Sequence, residues 1–166
     1  IGCSNLPGWQ VTDALWTARA NGLARFVSAQ DEYNILSRRH ERDLFPALTH
    51  HGLGLLPYYP LANGLLTGKY KRGAPPPAGS RLSKLPARAD QVLTDANHAI
   101  VDKLAAFAAA RGHTILDLAF SWLLHKPPVT SVIAGATSAA QVEANVKAAS
   151  WKLTPEELAE VDRIAA

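Results

Sequence analysis

The chain has 166 residues, of which 48% are hydrophobic and 19% are charged, and its formal net charge is +3. This composition is typical of one globular domain, but the chain is shorter than the roughly 200 residues that a complete eight-stranded β/α barrel requires. The single cysteine, Cys3, excludes a disulfide framework and indicates a reducing, cytoplasmic setting. No apolar run is long enough for a membrane helix, and we expect neither a membrane nor a secretory route.

The first residues resemble a strand that is already ending. Residue 1 is Ile, no methionine occurs anywhere, and Gly2, Cys3, Ser4 and Asn5 follow at once. A natural N-terminus seldom starts on the last residues of a core strand. We therefore expect the chain to be a fragment whose N-terminal part is missing.

Four short apolar segments predict β-strands. They are residues 1–3, 26–30, 54–58 and 130–134, and turn residues or a proline pair precede the last three. Strands this short and this apolar are typical of a parallel sheet that is covered on both faces.

Helical segments alternate with these strands. Apolar periodicity predicts helices over residues 11–20, 38–50, 97–110, 114–124 and 138–149, with Ser138 as an N-cap. A last helix opens at Thr154, with Pro155 in its first turn and Glu157 closing a capping box. Residues 61–95 show no periodicity and carry three consecutive prolines, which predicts a long functional or disordered loop.

The net positive charge of the chain comes from that loop. Six basic residues occur from Lys69 to Arg88 with no acidic residue among them, and the rest of the chain is acidic on balance. A local basic stretch fits a small phosphate-bearing ligand at least as well as a nucleic acid, and a flexible solvated loop is the alternative interpretation. We expect no nucleic-acid partner.

The alternation of strands and helices predicts a parallel α/β sheet, either open and doubly wound or part of a β/α barrel. A Rossmann dinucleotide fingerprint is absent, because Gly52 and Gly54 precede their strand instead of following it.

Polar residues follow each predicted strand at its carboxyl end, where β/α folds bind ligands. Ser4 and Asn5, then Gln30, offer amide recognition, Tyr58 offers a ring for stacking, and residues 135–138 lead through a glycine turn into a helix N-terminus suited to an anion. A nicotinamide dinucleotide has an amide, a ring and phosphates. Each residue also has a structural interpretation, as a turn, a cap or core filling.

Five motifs make the chain similar to the second half of an aldo-keto reductase. They are residues 2–5, residues 30–36 with Arg38 and Glu41, residues 58–70, residues 132–137 with Gln141 and Asn145, and residues 151–158. They occur in the family's order and cover essentially the whole chain.

This resemblance implies a fold and a function. The fold would be the C-terminal half of a (β/α)8 TIM barrel, its last four strands, with a cofactor loop at residues 61–95. The function would be NADPH-dependent reduction of a small carbonyl substrate by hydride transfer. By resemblance, Ser4, Asn5 and Gln30 bind the carboxamide and Tyr58 stacks on the nicotinamide. Residues further along the chain contact the phosphates and adenine: Pro60, Leu61, Asn63, Gly64, Leu66, Lys69, Arg81, Gly135, Thr137, Gln141 and Asn145.

The chain departs from the family at several positions. Tyr59 stands where serine is common and Ala144 where glutamate is common, and no basic residue occurs from Ala134 to Val146, so NADH is not excluded as cofactor. The family's catalytic Asp, Tyr, Lys and His lie in the other half of its barrel, so we expect no catalytic residue and no turnover in this chain alone.

Other interpretations follow from the same residues. The six histidines fit surface or capping positions, and no metal site is expected. The alternatives to an enzyme are a non-catalytic, cofactor-binding regulatory subunit of the ion-channel type and an inactive truncated product. The expected partner is the missing half of the barrel or a second copy of the chain.

Overall fold

A computed structural model describes residues 1–166 as an α/β fold. Three parallel strands, β1 (Gly2–Ser4), β2 (Ser28–Gln30) and β3 (Gly54–Leu55), form one sheet in the order β1-β2-β3. Seven α-helices surround them: α1 (Gly8–Ala20), α2 (Leu44–His51), α3 (Pro86–Val92), α4 (Asp95–Ala109), α5 (Ile115–Leu124), α6 (Ala139–Ala148) and α7 (Pro155–Ile164). None of these helices has the length and apolar character needed to cross a bilayer.

The sheet has two very different faces. Ala29 and Leu55, paired in register, are buried at 1% and 0% exposure against the helices. The opposite face carries Gly2, Ser28 and Gly54, which also lie in register. A Cβ at Gly2 would come within 2.6 Å of the Ser28 Oγ, so this face accommodates only small residues. Leu55 therefore packs into the hydrophobic core, on the face opposite these small residues.

The fourth predicted strand, residues 130–134, does not form a regular strand. The chain runs parallel to β3 here, and a single β-bridge, between Leu55 and Val129, joins the two. The Thr130 N–H donates to the Leu55 carbonyl at 3.0 Å, and the Ile133 N–H donates to the Pro57 carbonyl at 3.0 Å. The segment thus lies beside β3, where the alternation of elements placed it, but its pairing is too sparse for a ladder.

The helix ends follow the predicted caps. The Thr154 side chain accepts from the Glu157 N–H, and the Glu157 carboxylate accepts from the Thr154 N–H at 2.9 Å, which completes the capping box of α7. Ser138 likewise caps α6. The helix predicted over residues 38–50 is divided into a 3₁₀ helix (Arg39–Arg42) and α2. Asp43 leaves the helical conformation between them, and its carboxylate accepts from the Gly8 N–H at 2.9 Å.

Residues 61–95 were predicted as a long loop, and this prediction is wrong in part. The segment contains 3₁₀ helices at Ala62–Thr67 and Leu82–Lys84, and then α3. It also places seven side chains in the hydrophobic core: Ala62, Leu65, Leu66, Tyr70, Leu82, Ala89 and Val92. These apolar residues bury themselves at irregular spacing, which periodicity does not detect.

A polar network joins the 3₁₀ helix Arg39–Arg42 and its flank to α5 and α7. The Tyr33 hydroxyl donates to Glu41 at 2.6 Å, and Arg38 contacts both Glu41 and Asp162 at 2.9 Å. The fully buried Trp122 donates its indole N–H to Asp162 at 2.9 Å. Burial opposes ionisation of Glu41, but the hydrogen bonds from Arg38 and Tyr33 lower its pKa overall. Charges and donors are matched here, so the network ties α7 to α5 and to the segment that follows β2.

We expect the 166-residue chain to self-associate. β1 pairs on one side only, and Ile1 and Val27 beside it are 74% and 60% exposed. An unpaired strand edge flanked by apolar side chains recruits another edge. Sedimentation velocity at micromolar concentration should show dimers or larger species, and Ile1→Lys should reduce them, whereas Leu85→Lys, at another exposed apolar residue, should not. A compact wild-type monomer with a cooperative melt would contradict this expectation.

Candidate functional site

Four residues predicted from the strand ends meet at one edge of the sheet. The Ser4 hydroxyl donates to the Gln30 carbonyl at 2.7 Å, and the Asn5 Nδ2 donates to the Ser4 Oγ at 2.9 Å. The Tyr58 hydroxyl donates to the Asn5 Oδ1 at 2.7 Å, although the two residues are 53 positions apart. The structure therefore brings Ser4, Asn5, Gln30 and Tyr58 together as predicted.

The backbone explains how these side chains converge. Ser4 and Gln30 are paired in register, so their side chains leave the same face of the sheet. Asn5 has a φ of 56°, a left-handed conformation that asparagine tolerates better than most residues. This turn brings the Asn5 amide back over Ser4. Gln30 is exposed and its side-chain amide makes no hydrogen bond within the chain, so both of its polar atoms are free for a ligand.

The Tyr58 ring is half-buried at this edge. It lies edge-on to the Tyr59 ring, with centroids 5.1 Å apart. Burial, with the nearby charges of Glu32 and Asp31, raises the pKa of the Tyr58 hydroxyl. The charge of Arg39 opposes this shift without reversing it, so Tyr58 stays protonated and is a weak acid.

The backbone after Tyr58 is strained. Tyr59, Ala62 and Asn63 have φ values of 51°, 46° and 58°, and Gly64 has 97°. Left-handed conformations at non-glycine residues are uncommon and concentrate at ligand-binding sites. The buried Asn34 holds this segment by donating its Nδ2 to the Tyr59 carbonyl at 2.9 Å.

The loop residues predicted to contact a pyrophosphate differ in their exposure to solvent. Leu66 is fully buried and Pro60 is also buried, so neither residue presents a surface to a ligand. Asn63 is 6% exposed and its Nδ2 has no partner. Lys69 crosses Gly64, where a Cβ would come within 2.9 Å of the ammonium nitrogen. The small residue at position 64 thus allows this cation to lie over the loop.

Arg81 is held beside the same loop by Tyr59. Its guanidinium lies 4.8 Å from the centre of the Tyr59 ring and donates to the Tyr59 hydroxyl at 3.1 Å. Arg88 also faces this ring, at 5.8 Å, while it pairs with Glu32 at 3.2 Å. The Tyr59 ring therefore positions Arg81 and Arg88, two of the six basic residues from Lys69 to Arg88. The related family commonly has serine at this position.

The turn after residues 130–134 forms its hydrogen bonds within itself. The Thr137 N–H donates to the Gln141 Oε1 at 2.7 Å, and the Gln141 N–H is capped by Ser138. No hydrogen bond or ion pair joins Gly135, Thr137, Gln141 or Asn145 to the strand-end residues. An anion at this helix N-terminus would have to displace the Gln141 side chain from Thr137.

Two of the cavities in the fold are lined by different parts of the chain. One of about 130 Å³ lies beside the strand-end site and is lined by Glu32, Asn34, Asn63 and Arg88 among others. The larger, about 420 Å³, is lined by Leu15, Trp16, Arg19, Leu23, Arg25 and His51, none of which is a predicted site residue.

Sequence reasoning missed Asp31. It is 1% exposed, and neither carboxyl oxygen has a hydrogen-bond partner. Burial raises the pKa of this carboxyl to about 6, against the opposing influence of the Asn5 N–H and Arg39. Asp31 lies two residues after the buried Ala29, so its side chain leaves the same face of the strand. This alternation could have indicated a carboxyl that faces the core.

Two histidines also differ from their expected surface or capping positions. His40 and His98 are buried, at 9% and 5% exposure. Burial, together with the nearby Arg39, lowers the pKa of His40, so this imidazole is neutral at physiological pH.

Comparison with known proteins shows the family. The model of the aldo/keto reductase family matches residues 1–166, and the chain belongs to this family. The chain is 36% identical over 168 residues to a probable voltage-gated potassium channel subunit beta of Arabidopsis thaliana, covering 98% of this chain and 51% of that protein.

Enzymes are found among the relatives as well. An L-glyceraldehyde 3-phosphate reductase of Escherichia coli O157:H7 is 39% identical over 140 residues, which cover 81% of this chain and 40% of the reductase. An uncharacterized oxidoreductase, YrpG, of Bacillus subtilis is 31% identical over 156 residues, covering 94% of this chain and 45% of that protein. The chain therefore spans about half the length of the curated relatives it matches.

We expect Asp31→Asn to stabilise the chain in a pH-dependent manner. The folded state raises the pKa from 3.8 to about 6, so it binds a proton more tightly than the unfolded state, and wild-type stability falls as pH rises through this window. The variant lacks this penalty. Its free energy of unfolding at pH 7.5 should exceed that of wild type by about 1–3 kcal/mol.

Chemical denaturation at several pH values provides the measurement. The gain of Asp31→Asn should disappear near pH 4, because the wild-type carboxyl is then protonated. Asp90→Asn, at an exposed aspartate, should show no gain at either pH. A gain that is the same at pH 4 and pH 7.5 would mean that ionisation of Asp31 is not its cause.

Proposed function

We propose that the chain forms the cofactor-binding half of an NADPH-dependent aldo-keto reductase, which reduces a small carbonyl substrate by hydride transfer. The proposal includes the fold: the sheet, with residues 130–134 beside β3, corresponds to the last four strands of a (β/α)8 barrel. It also includes a cytoplasmic location and the other half of the barrel, or a second copy, as partner. When bound, the nicotinamide supplies the hydride.

The single observation that carries the proposal is the hydrogen-bonded chain Tyr58–Asn5–Ser4–Gln30 at the carboxyl edge of the sheet. Asn5 and the free Gln30 amide present donors and acceptors in pairs, which is what a carboxamide requires. The Tyr58 ring beside them offers a flat surface against which a nicotinamide could stack. In this interpretation Asn5 exchanges its contacts with Tyr58 and Ser4 for contacts with the carboxamide.

The phosphate end of the cofactor fits the next segment of the chain. Lys69 and Arg81 are exposed cations beside the left-handed loop, and neither forms an ion pair with an acid. Cations of this kind attract the pyrophosphate and a 2′-phosphate. They support NADPH even though the turn after residue 134 has no basic residue.

The channel-subunit relatives favour a second candidate function. In this alternative the same residues bind the cofactor, but the protein acts as a regulatory subunit and not through turnover. Both candidates require the strand-end site. They differ in whether the complete protein contains a proton donor beside it.

The Tyr58 side chain provides the direct test of cofactor binding. Tyr58→Ala should weaken NADPH binding by about 0.5–1.5 kcal/mol beyond the lost contact area, or roughly 2- to 12-fold, because it removes the stacking ring. Tyr58→Phe keeps the ring and should retain most of the affinity. Isothermal titration gives the dissociation constants, with Trp16→Ala as an exposed aromatic control far along α1. Equal affinity in wild type and Tyr58→Ala would assign Tyr58 to core filling.

We also expect no aldehyde reduction by the 166-residue chain itself. The hydroxyls of this edge are poor proton donors, since the Ser4 Oγ is bonded to the Gln30 carbonyl and burial raises the pKa of Tyr58. Oxidation of NADPH with a simple aldehyde should stay at the rate without protein, in a sample whose NADPH binding has been verified. Turnover above that rate would show that a proton donor is present in this chain.

A further inference from the structure

The larger cavity has no part in the proposed cofactor site. Its volume of about 420 Å³ lies within the range of roughly 300–1,000 Å³ that small-molecule sites occupy. Its lining comes from α1, from the loop between α1 and β2, and from the last residue of α2. Both connections lead into the amino ends of strands, whereas the predicted cofactor residues follow the carboxyl ends. The cavity is therefore a separate candidate site at the other end of the sheet.

The apolar part of this cavity is open to solvent. Leu15 is buried at 7% exposure, but Trp16 and Leu23 are 54% and 62% exposed. Single exposed apolar side chains are ordinary on a protein surface, but here Trp16 and Leu23 line one concave surface together. An apolar ligand body in the cavity would remove both side chains from water, which is favourable.

Two guanidinium groups line the same cavity without an acidic partner. Arg25 donates its Nη2 to the His51 carbonyl at 2.5 Å, which holds this side chain between the two connections. The Arg19 guanidinium lies 5.3 Å from the centre of the Trp16 ring. Arg19 forms no side-chain hydrogen bond or ion pair within the chain, so all of its N–H donors are free for a ligand.

These cations exceed what the neighbouring helix ends require. α1 and α2 both end beside the cavity, and each helix C-terminus carries about half a negative charge. No acidic residue occurs in residues 14–30 or 44–89. His51 adds no charge at neutral pH, because burial, together with His50 and Arg25, lowers its pKa. The two arginines therefore leave about one positive charge unbalanced.

We propose that this cavity binds a small amphipathic monoanion: a carboxylate whose apolar body covers Trp16 and Leu23 and whose charge is held by Arg19 and Arg25. A carboxylate matches the planar fork of an arginine and supplies the single negative charge that the cavity lacks. A neutral apolar molecule would leave the free donors of Arg19 without an acceptor. This inference does not depend on the proposed cofactor site.

A comparison of 2-naphthoate with the neutral 2-naphthamide tests the proposal. In ¹⁵N NMR titrations of the 166-residue chain, 2-naphthoate should shift the indole N–H signal of Trp16. It should not shift that of Trp9, which is 66% exposed on the same helix but lies outside the cavity. Trp16→Phe and Trp9→Phe assign the two signals. We expect a dissociation constant of about 1 mM or below for 2-naphthoate, and binding at least about fivefold weaker for 2-naphthamide.

Substitution of the arginines separates the charge from the apolar surface. Arg19→Gln and Arg25→Gln should each weaken 2-naphthoate binding about three- to tenfold and leave 2-naphthamide binding unchanged. Arg42→Gln, at an exposed arginine on the 3₁₀ helix, should bind both ligands like wild type. If Arg25→Gln does not fold, because the contact with His51 is lost, Arg19→Gln decides the test, since the Arg19 side chain makes no hydrogen bond within the chain.

Three outcomes would overturn the proposal. They are equal affinity for the two ligands, unchanged 2-naphthoate binding in Arg19→Gln, and equal shifts of the Trp9 and Trp16 signals. NADPH distinguishes this site from the cofactor site. Saturation with NADPH should leave 2-naphthoate binding unchanged, and displacement of 2-naphthoate by NADPH would also contradict a separate site. If NADPH does not bind but 2-naphthoate does as described, the cofactor proposal is wrong and this one stands.

Discussion

The parallel register of three very short strands determines where every group of the site lies. Ser4 pairs with Gln30, and Ser28 pairs with Gly54, so the three strands end at one edge. Burial of Ala29 and Leu55 against the helices fixes this register, because a slip by one residue would expose both of them. The same slip would turn Ser4 and Gln30 toward the helices and disperse the site.

The site lies on the less stable side of this arrangement. It combines left-handed backbone at Asn5, Tyr59, Ala62 and Asn63 with a buried acid that has no donor. Each feature costs folding free energy. The helix side offsets these costs with a continuous hydrophobic core and the matched network around Glu41 and Asp162. Enzymes and binding proteins commonly place a strained binding site beside a well-packed core that supplies the stability.

How much could be predicted from the sequence differs between elements. The caps at Ser138 and Thr154 depend on local chemistry, and both are confirmed. The meeting of Ser4, Asn5, Gln30 and Tyr58 follows from the rule that parallel strands end together. Residues 130–134 pair too sparsely for a strand, because their ladder depends on neighbours that local sequence does not show. Residues 61–95 contribute to the core at irregular spacing, which no periodicity indicates.

The residues missed by prediction act through long-range contacts. Asp31 is distinguished by its burial without a hydrogen-bond partner and by His40, whose Nε2 lies 3.7 Å from its Oδ1, and both features require the folded chain. Tyr59 was noted as a departure from the family pattern. Its contacts with Arg81 and Arg88 depend on how residues 61–95 fold back, and not on the sequence around Tyr59.

The central claim is that the strand edge formed by Ser4, Asn5, Gln30 and Tyr58 recognises the carboxamide of a nicotinamide. The most direct measurement compares NADPH with adenosine 2′,5′-bisphosphate, which lacks the nicotinamide, in NMR titrations of the labelled chain. The account predicts that both ligands shift signals near Lys69 and Arg81, and that only NADPH shifts the side-chain amides of Gln30 and Asn5. Equal shifts of the Gln30 amide with both ligands, or none with NADPH, would contradict it.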